Sequence, residues 1–425
     1  MKNCIFCLIA MALAFNLTAD DQFEVRLATE VQLVPIYLEK LAGDGTELSR
    51  EYLNEIDNVL RFDFTYNGTT VPVPAKNGRE HYIISGSVQG KTLTASVLDI
   101  KAGKKLSFGN IVLKGTLSSD RRLIHEIADA IHNKLFGFEG IASTRILFVD
   151  KKSQSSGEVW VADYDGANQK QLTYQNALCV SPSFIPPQQG YRSKDYFYVC
   201  YKTGQPKIFH ATLDGGNGQR VTNLRGNQLM PELSRARDKL VFISDAAGNP
   251  DVFLYDFDPQ KGIIGKPRQI YAVPFATQAS PSFSPDGSKI ALVSNKDGRA
   301  KIYTIDIPSP GTPVNQIKAE LLVKRNWACT APSWSPDGTK IAYTSKKDGA
   351  RQIFVYDLIS RHSKQITQGP GDKENPAWAP NSLHLAFNQS KENGCNIFIV
   401  NTNQLKPVRI TSGFTEKKYP SWEKR

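Results

Sequence analysis

The chain has 425 residues, and its 52 Lys and Arg against 41 Asp and Glu give a formal charge of +11. That balance suits acidic faces, anionic lipid or cell-wall polymer in an exported protein better than nucleic acid. Past the first 19 residues no apolar run reaches the ~20 residues of a membrane helix, and the four cysteines beyond them form no metal-type Cys-x-x-Cys pair.

Lys2, an apolar run over 4–15 and Leu17-Thr18-Ala19 have the charged, apolar and small-residue zones of a secretory signal peptide, with cleavage expected after Ala19. Its loss removes one Lys and no acid, leaving +10, and leaves Cys179, Cys200, Cys329 and Cys395. Residues 20–142 lack any repeat and read as a small α/β domain. A strand begins at Val34-Pro35, and Ser49 is placed to cap a helix carrying Tyr52, Leu53, Ile56, Val59 and Leu60 at helical spacing. Extended runs are expected over 59–64, 81–88, 93–100 and 106–114, with turns at Gly90 and Ala102-Gly103. A second helix over 120–135 puts Leu123, Ile127, Ile131 and Leu135 on one stripe, and Gly137 and Gly140 end the domain. His125 and His132 on this helix are seven residues apart. Zinc-binding helices need four, so both are expected on a solvated face.

Residues 143–425 repeat. A proline-led phrase recurs at Pro182, Pro231, Pro281, Pro332, Pro376 and Pro420, at intervals of 49, 50, 51, 44 and 44 residues, which is the period of propeller blades. Each phrase runs into a tight turn, clearest in Ser284-Pro285-Asp286-Gly287 and Ser335-Pro336-Asp337-Gly338, and then an alternating apolar strand. Third strands follow an aliphatic–aromatic pattern: Val159-Trp160, Ile208-Phe209, Val252-Phe253, Ile302-Tyr303, Ile353-Phe354 and Ile397-Phe398. Short fourth strands such as Gln171-Leu172-Thr173, Gln365-Ile366-Thr367 and Arg409-Ile410-Thr411 come last. The first copy lacks a proline phrase while Tyr419-Pro420-Ser421-Trp422 has nothing after it. The C-terminal phrase should therefore insert as the inner strand of the first blade, giving an α+β N-terminal domain followed by an all-β six-bladed propeller closed by the C-terminal strand.

Beyond the signal segment no Gly-x-Ser-x-Gly elbow, phosphate-binding Gly loop or Cys-x-x-Cys motif appears, and no catalytic residue, cofactor or metal is expected. The acids of the Pro-Asp-Gly turns, Asp286 and Asp337, stand at the same place in two successive repeats, as turn residues do. Cys179 and Cys200 fall nearly opposite in one hairpin, a candidate disulfide in an oxidising compartment. Residues just before the prolines should surround one end of the channel: Asn227, Gln228, Gln278, Ala279, Thr330, Glu374, Asn375 and Lys418. They are mostly uncharged polar groups, suited to hydrogen bonding with a protein. A propeller enzyme of the lactonase or lyase kind, or a peptidase-associated propeller, remains the alternative.

The joint Lys134-Leu135-Phe136-Gly137-Phe138-Glu139-Gly140 running into Thr144-Arg145-Ile146, the Ser-Pro-Asp-Gly blades and the closing Tyr419-Pro420-Ser421-Trp422 resemble the TolB family of the Tol–Pal system. The resemblance covers nearly the whole mature chain. It implies a periplasmic, non-enzymatic monomer, peripheral to membranes through its partners, that serves envelope integrity and outer-membrane constriction in division. It implies the peptidoglycan-associated lipoprotein Pal as partner at the propeller mouth, the positions of Gln278 and Thr330 above all. It further implies TolA at the N-terminus, where Glu24, Val25 and Arg26 match the family's mature start, and contacts with outer-membrane proteins. Seven residues separate Arg26 from Val34, a shorter spacer than the family's.

Overall fold

The computed structural model describes residues 33–43, 45–188, 192–324, 326–392 and 394–425. The N-terminal unit is a five-stranded mixed sheet ordered β2-β1-β3-β4-β5, with β1 (Val34–Leu38) parallel to both β2 (Thr70–Pro72) and β3 (Tyr82–Gln89). β4 (Thr92–Asp99) and β5 (Lys104–Val112) complete it as antiparallel hairpins. Helices α1 (Arg50–Tyr66) and α2 (Leu117–Phe136) share its apolar core.

Ser49 caps α1 by accepting the Tyr52 amide at 3.2 Å. The stretch expected as a strand over 59–64 is instead the second half of this helix, because Val59 and Phe64 extend the buried stripe begun by Tyr52, Leu53 and Ile56. α2 ends at Gly137, whose left-handed φ of 78° lets its amide bond Asn133. Its histidines are not solvated: His125 and His132 are 1% and 2% exposed. Of the expected stripe, Ile127 and Ile131 lie in the core, joined there by Ile124, while Leu123 and Leu135 are only half-buried. The side of the helix that carries the histidines is covered by α1, the chain after Gly137 and the first repeat, which sequence periodicity on one helix could not reveal.

The repeats form blades, but not six separate ones. Among the described residues there are four separate four-stranded sheets, and the first and last repeats are fused into one eight-stranded sheet. The fusion arises at the C-terminus. Strand Glu416–Trp422 pairs antiparallel with Arg145–Lys151 and also bridges Gly394–Asn401 through Cys395 and Glu416, so no sheet boundary remains between the two repeats.

Within the repeats two polar devices recur. In the Pro-Asp-Gly turns the serine hydroxyl donates to the aspartate (Ser284 to Asp286, Ser335 to Asp337, both 2.5 Å) and accepts the amide of Lys289 or Lys340 at 2.9 Å. These bonds, the Ser284 hydroxyl foremost, hold the Asp286 carboxyl down at about 2. At the other device, the threonine after a fourth strand accepts an amide of the third: Val159 to Thr173, Ile353 to Thr367 and Ile397 to Thr411, at 2.8–2.9 Å. Each hydroxyl then donates to Glu158, Gln352 or Asn396.

Cys179 and Cys200 are direct cross-strand partners, as the hairpin suggests, yet both are free thiols. Their mutual hydrogen bond, followed by burial, keeps the Cys179 thiol well above the ordinary range.

The closing strand is anchored by Trp422, 2% exposed, whose indole N–H donates to Thr144 Oγ1 at 2.8 Å. Next to it Glu423 accepts the Arg145 amide at 3.0 Å and its guanidinium at 2.6 Å. Replacing Trp422 by Ala should cost ~3–5 kcal/mol, and deletion of 418–425 should cost more, since it also strips the Arg145 strand of its partner. Denaturant unfolding checks both; a truncated chain with the parental midpoint would refute the closure.

The N-terminal unit docks on the end of the ring that carries the first-to-second and third-to-fourth turns of the first and last repeats. His384 Nε2 donates to Tyr66 O at 2.7 Å, and Asn403 Nδ2 donates to Gly68 O at 3.2 Å. Burial pulls the His384 pKa down to about 4. The unfolded imidazole takes up its proton near 6.5, so the unfolded state binds more protons between those values. The stability is complete above pH 6.5 and is lost as pH falls toward 4, on the order of 3 kcal/mol. His384→Gln should therefore show a shallower fall of melting temperature over that window than the parent; an unchanged slope would refute this account.

Candidate partner-binding face

Each inner strand carries a bulge at the same step, immediately before its proline. The bulge puts the preceding residue in the left-handed region: φ is 49° at Ser181, 53° at Met230, 48° at Ser280, 49° at Ala331, 56° at Asn375 and 55° at Tyr419. Non-glycine residues rarely sit there, and six in register mark a constraint of the ring. They and the prolines after them line a central cavity of about 270 Å³. Proline has no N–H, so these six positions add no backbone donor to the wall. Both acids of the lining are held: Glu232 by Lys424 at 3.0 Å and Glu423 by Arg145.

The bulge also decides which mouth residues are reachable. Gln228 and Gln278 start their strands three residues before the proline and are 0% and 1% exposed. Their amides donate to loop carbonyls, Gln228 to Leu224 at 2.6 Å and Gln278 to Ala276 at 3.3 Å. Lys373 and Lys417 hold the same place in other repeats and are buried too, Lys373 donating to Gly369 and Pro370. Burial at Lys373 pushes its pKa down. This layer ties loop to strand. Asn227 is half-buried and clamped by Asp245 through its amide (2.6 Å) and side chain (2.7 Å).

One residue further along each strand the side chains turn toward solvent. Thr330 is exposed, while Ala279, Glu374 and Lys418 are half-buried, with Glu374 3.3 Å from Arg351 and Lys418 3.3 Å from Glu416. Asn375 lines the cavity and donates to Asn388 Oδ1 at 2.8 Å. The fold thus brings Ala279, Thr330, Glu374, Asn375 and Lys418 to one end of the channel, while Gln228 and Gln278 lie beneath it. Glu24, Val25 and Arg26, like the signal segment, lie outside the described residues.

What residue pattern alone missed is a set of aromatics on the same face. Tyr174, Phe275, Trp327 and Phe414 are 60%, 101%, 53% and 93% exposed. All four stand in loops that lead from a fourth strand to the next inner strand, five to eight residues before the proline. Phe275 is also left-handed, at φ 62°. The available signal was their position, since each falls in a turn-rich stretch where a buried aromatic has no strand to pack on.

The ring's sequence matches the family model described as TolB beta propeller domain, over residues 132–318 and 315–425. A Protein TolB homolog from Protochlamydia amoebophila is 46% identical over 398 residues, covering 87% of this chain and 85% of that protein. The chain belongs to the TolB family. A second Protein TolB homolog, from Chlamydia caviae, is 38% identical over 366 residues, covering 84% of this chain and 83% of the relative. The crystal structure of TolB from Acinetobacter baumannii superposes with a TM-score of 0.74 over 93% of this chain and 97% of that one; at 19% identity it speaks for the fold. As a TolB-family member the protein is a periplasmic, non-catalytic propeller protein that works through protein–protein interaction in the Tol–Pal system.

The burial pattern separates two substitutions at the mouth. Gln278→Arg should lower the melting temperature, because it forces a charge into a site 1% exposed. Thr330→Arg should leave it within about a degree, as surface changes do. Scanning calorimetry decides; equal effects would mean that the bulge does not set exposure as described.

Proposed function

We propose that the open end of the ring binds the peptidoglycan-associated lipoprotein Pal, with Thr330, Asn375, Glu374 and Lys418 around the channel and the loop aromatics as anchors. One observation carries this reading: four large aromatics from four different repeats are exposed on the face opposite the docked N-terminal unit. Exposed apolar groups gathered on one face mark interaction surfaces, and aromatic side chains dominate interface energetics. An aromatic held at φ 62° with its ring fully in solvent has no packing to offset the strained backbone, so its use lies outside the chain. TolA is the second partner in this proposal, taken by the segment with Glu24, Val25 and Arg26, and outer-membrane proteins are reached through Pal. The chain then joins inner- and outer-membrane components during outer-membrane constriction in division.

Immobilised mature protein should retain soluble Pal. Phe275→Ser with Phe414→Ser should weaken retention at least tenfold, since an interface anchor is worth ~2 kcal/mol and 1.4 kcal/mol is a factor of ten. The double variant should melt with the parent because neither ring is buried. Pal binding unaffected by these changes, but lost on substitution of Ile359 and Leu405 at the other end of the ring, would place the partner on the wrong face for this proposal.

A further inference from the structure

The docked interface holds a cluster that partner binding at the far face does not use. His125 of α2 is 1% exposed, and its Nδ1 faces the Asp63 carboxylate of α1 at 2.9 and 3.0 Å. Asp63 is fixed in turn by the Tyr164 hydroxyl, which donates to its Oδ1 at 2.7 Å. This assigns the Nδ1 proton to the Asp63 side and turns Nε2 the other way. There Nε2 has no hydrogen-bond partner among the described residues; it points at Asp165 Oδ2, 3.6 Å away. Asp163 stands beside it on the same turn, and ligand atoms of His125, Asp163 and Asp165 all lie within 4.8 Å of one another.

The geometry points to a divalent transition-metal site, with His125 Nε2, Asp163 and Asp165 as ligands, that ties the N-terminal unit to the first repeat. A carboxylate on the far nitrogen is the arrangement that orients metal-bound histidine and raises its basicity. One imidazole with two carboxylates suits Zn²⁺ or Mn²⁺-like ions rather than Ca²⁺, which takes oxygen ligands. Charge argues the same way. With a neutral imidazole, Asp63, Asp163 and Asp165 face a single guanidinium, that of Arg121, which pairs with Asp165 and lies 4.0 Å from Asp163. With all three carboxylates ionised, two negative charges remain in a mostly buried site, and one divalent ion cancels them. Asp165 Oδ1 is held by the Ala167 amide and Asp163 Oδ2 by Asn168, so the turn is already ordered around the position. A proton is the rival for Nε2: burial lowers the His125 pKa, but Asp63 and Asp165 outweigh it and leave it raised.

The test is equilibrium dialysis of the metal-stripped full-length mature protein against Zn²⁺, Co²⁺ or Ca²⁺, followed by elemental analysis. One equivalent of Zn²⁺ or Co²⁺ per chain is expected, with Ca²⁺ excluded and the melting temperature raised by the bound ion. Co²⁺ should show only the weak visible bands of nitrogen and oxygen ligands, since a strong near-ultraviolet thiolate band would place the ion on the cysteines instead. Asp163→Asn, whose side chain is 19% exposed and therefore safe for folding, should weaken binding at least tenfold, and His125→Asn should abolish it. Pal retention by the apo-protein should be unchanged. Less than 0.1 equivalent of every ion tested, or binding that survives both substitutions, overturns the site and leaves Arg121 with a protonated His125 as the only counter-charges.

Discussion

Everything in this molecule depends on one pairing, that of the C-terminal strand Glu416–Trp422 with Arg145–Lys151, with paired residues 265 to 276 positions apart in sequence. A strand at the edge of a ring has unpaired amides and carbonyls, and the sheets beside an opening lose both hydrogen bonds and apolar cover. Here the closing strand does more than fill the gap. Trp422 reaches Thr144, Glu423 takes Arg145, and Arg425 reaches the Gly140 carbonyl at 3.1 Å and Asp129 of α2 at 3.5 Å. The last four residues therefore join the ring to itself and to the N-terminal unit together.

Regular local features were legible from residue order. The proline phrase, the Ser-Pro-Asp-Gly turns and the aliphatic–aromatic third strands each need a fixed backbone conformation, and composition reports such conformations directly. Ser49 and Gly137 likewise mark real helix ends because capping is a local event. Features set by contacts distant in sequence were not legible. His125 and His132 lie off the apolar stripe of α2, and only the docked surfaces bury them. Residues 59–64 have strand-forming composition, but the stripe through Val59 and Phe64 fits the helix, and tertiary packing decides between the two. The fusion of the first and last repeats rests on one bridge, Cys395 to Glu416, which no repeat count could anticipate.

The partner face shows the same division more sharply. Counting back from each proline places these loops at one end of the channel, yet it treats successive residues as equivalent. The bulge breaks that equivalence. Alternation along a strand sends Gln278 inward and its neighbours outward, and the left-handed residue before the proline then re-aims the chain into the cavity. Gln278 and Thr330 thus differ in burial, 1% against exposed, although both precede the mouth prolines closely. The aromatics further upstream escape the repeat altogether, since they occupy loops whose lengths differ among the repeats.

The two ends of the ring differ in chemistry for a physical reason. The docked end is polar and charged within a largely buried interface, with His384 held neutral, Asp63 bonded by His125 Nδ1 and Tyr164, and Asp165 paired with Arg121. Such groups are costly to bury unless each finds its partner, so they favour a single orientation of the N-terminal unit over many similar ones. The open end reverses the arrangement. Its backbone is fixed by bulges and buried glutamine and lysine amides or amines, while its apolar rings stand in water on top of that rigid layer. A surface built this way loses little conformational freedom when a partner covers it, because the loops beneath are already tied to the inner strands through Gln228, Gln278 and Lys373. In the proposed complex, pre-organisation below and desolvation above would act together, so that the buried layer contributes to binding without touching the partner.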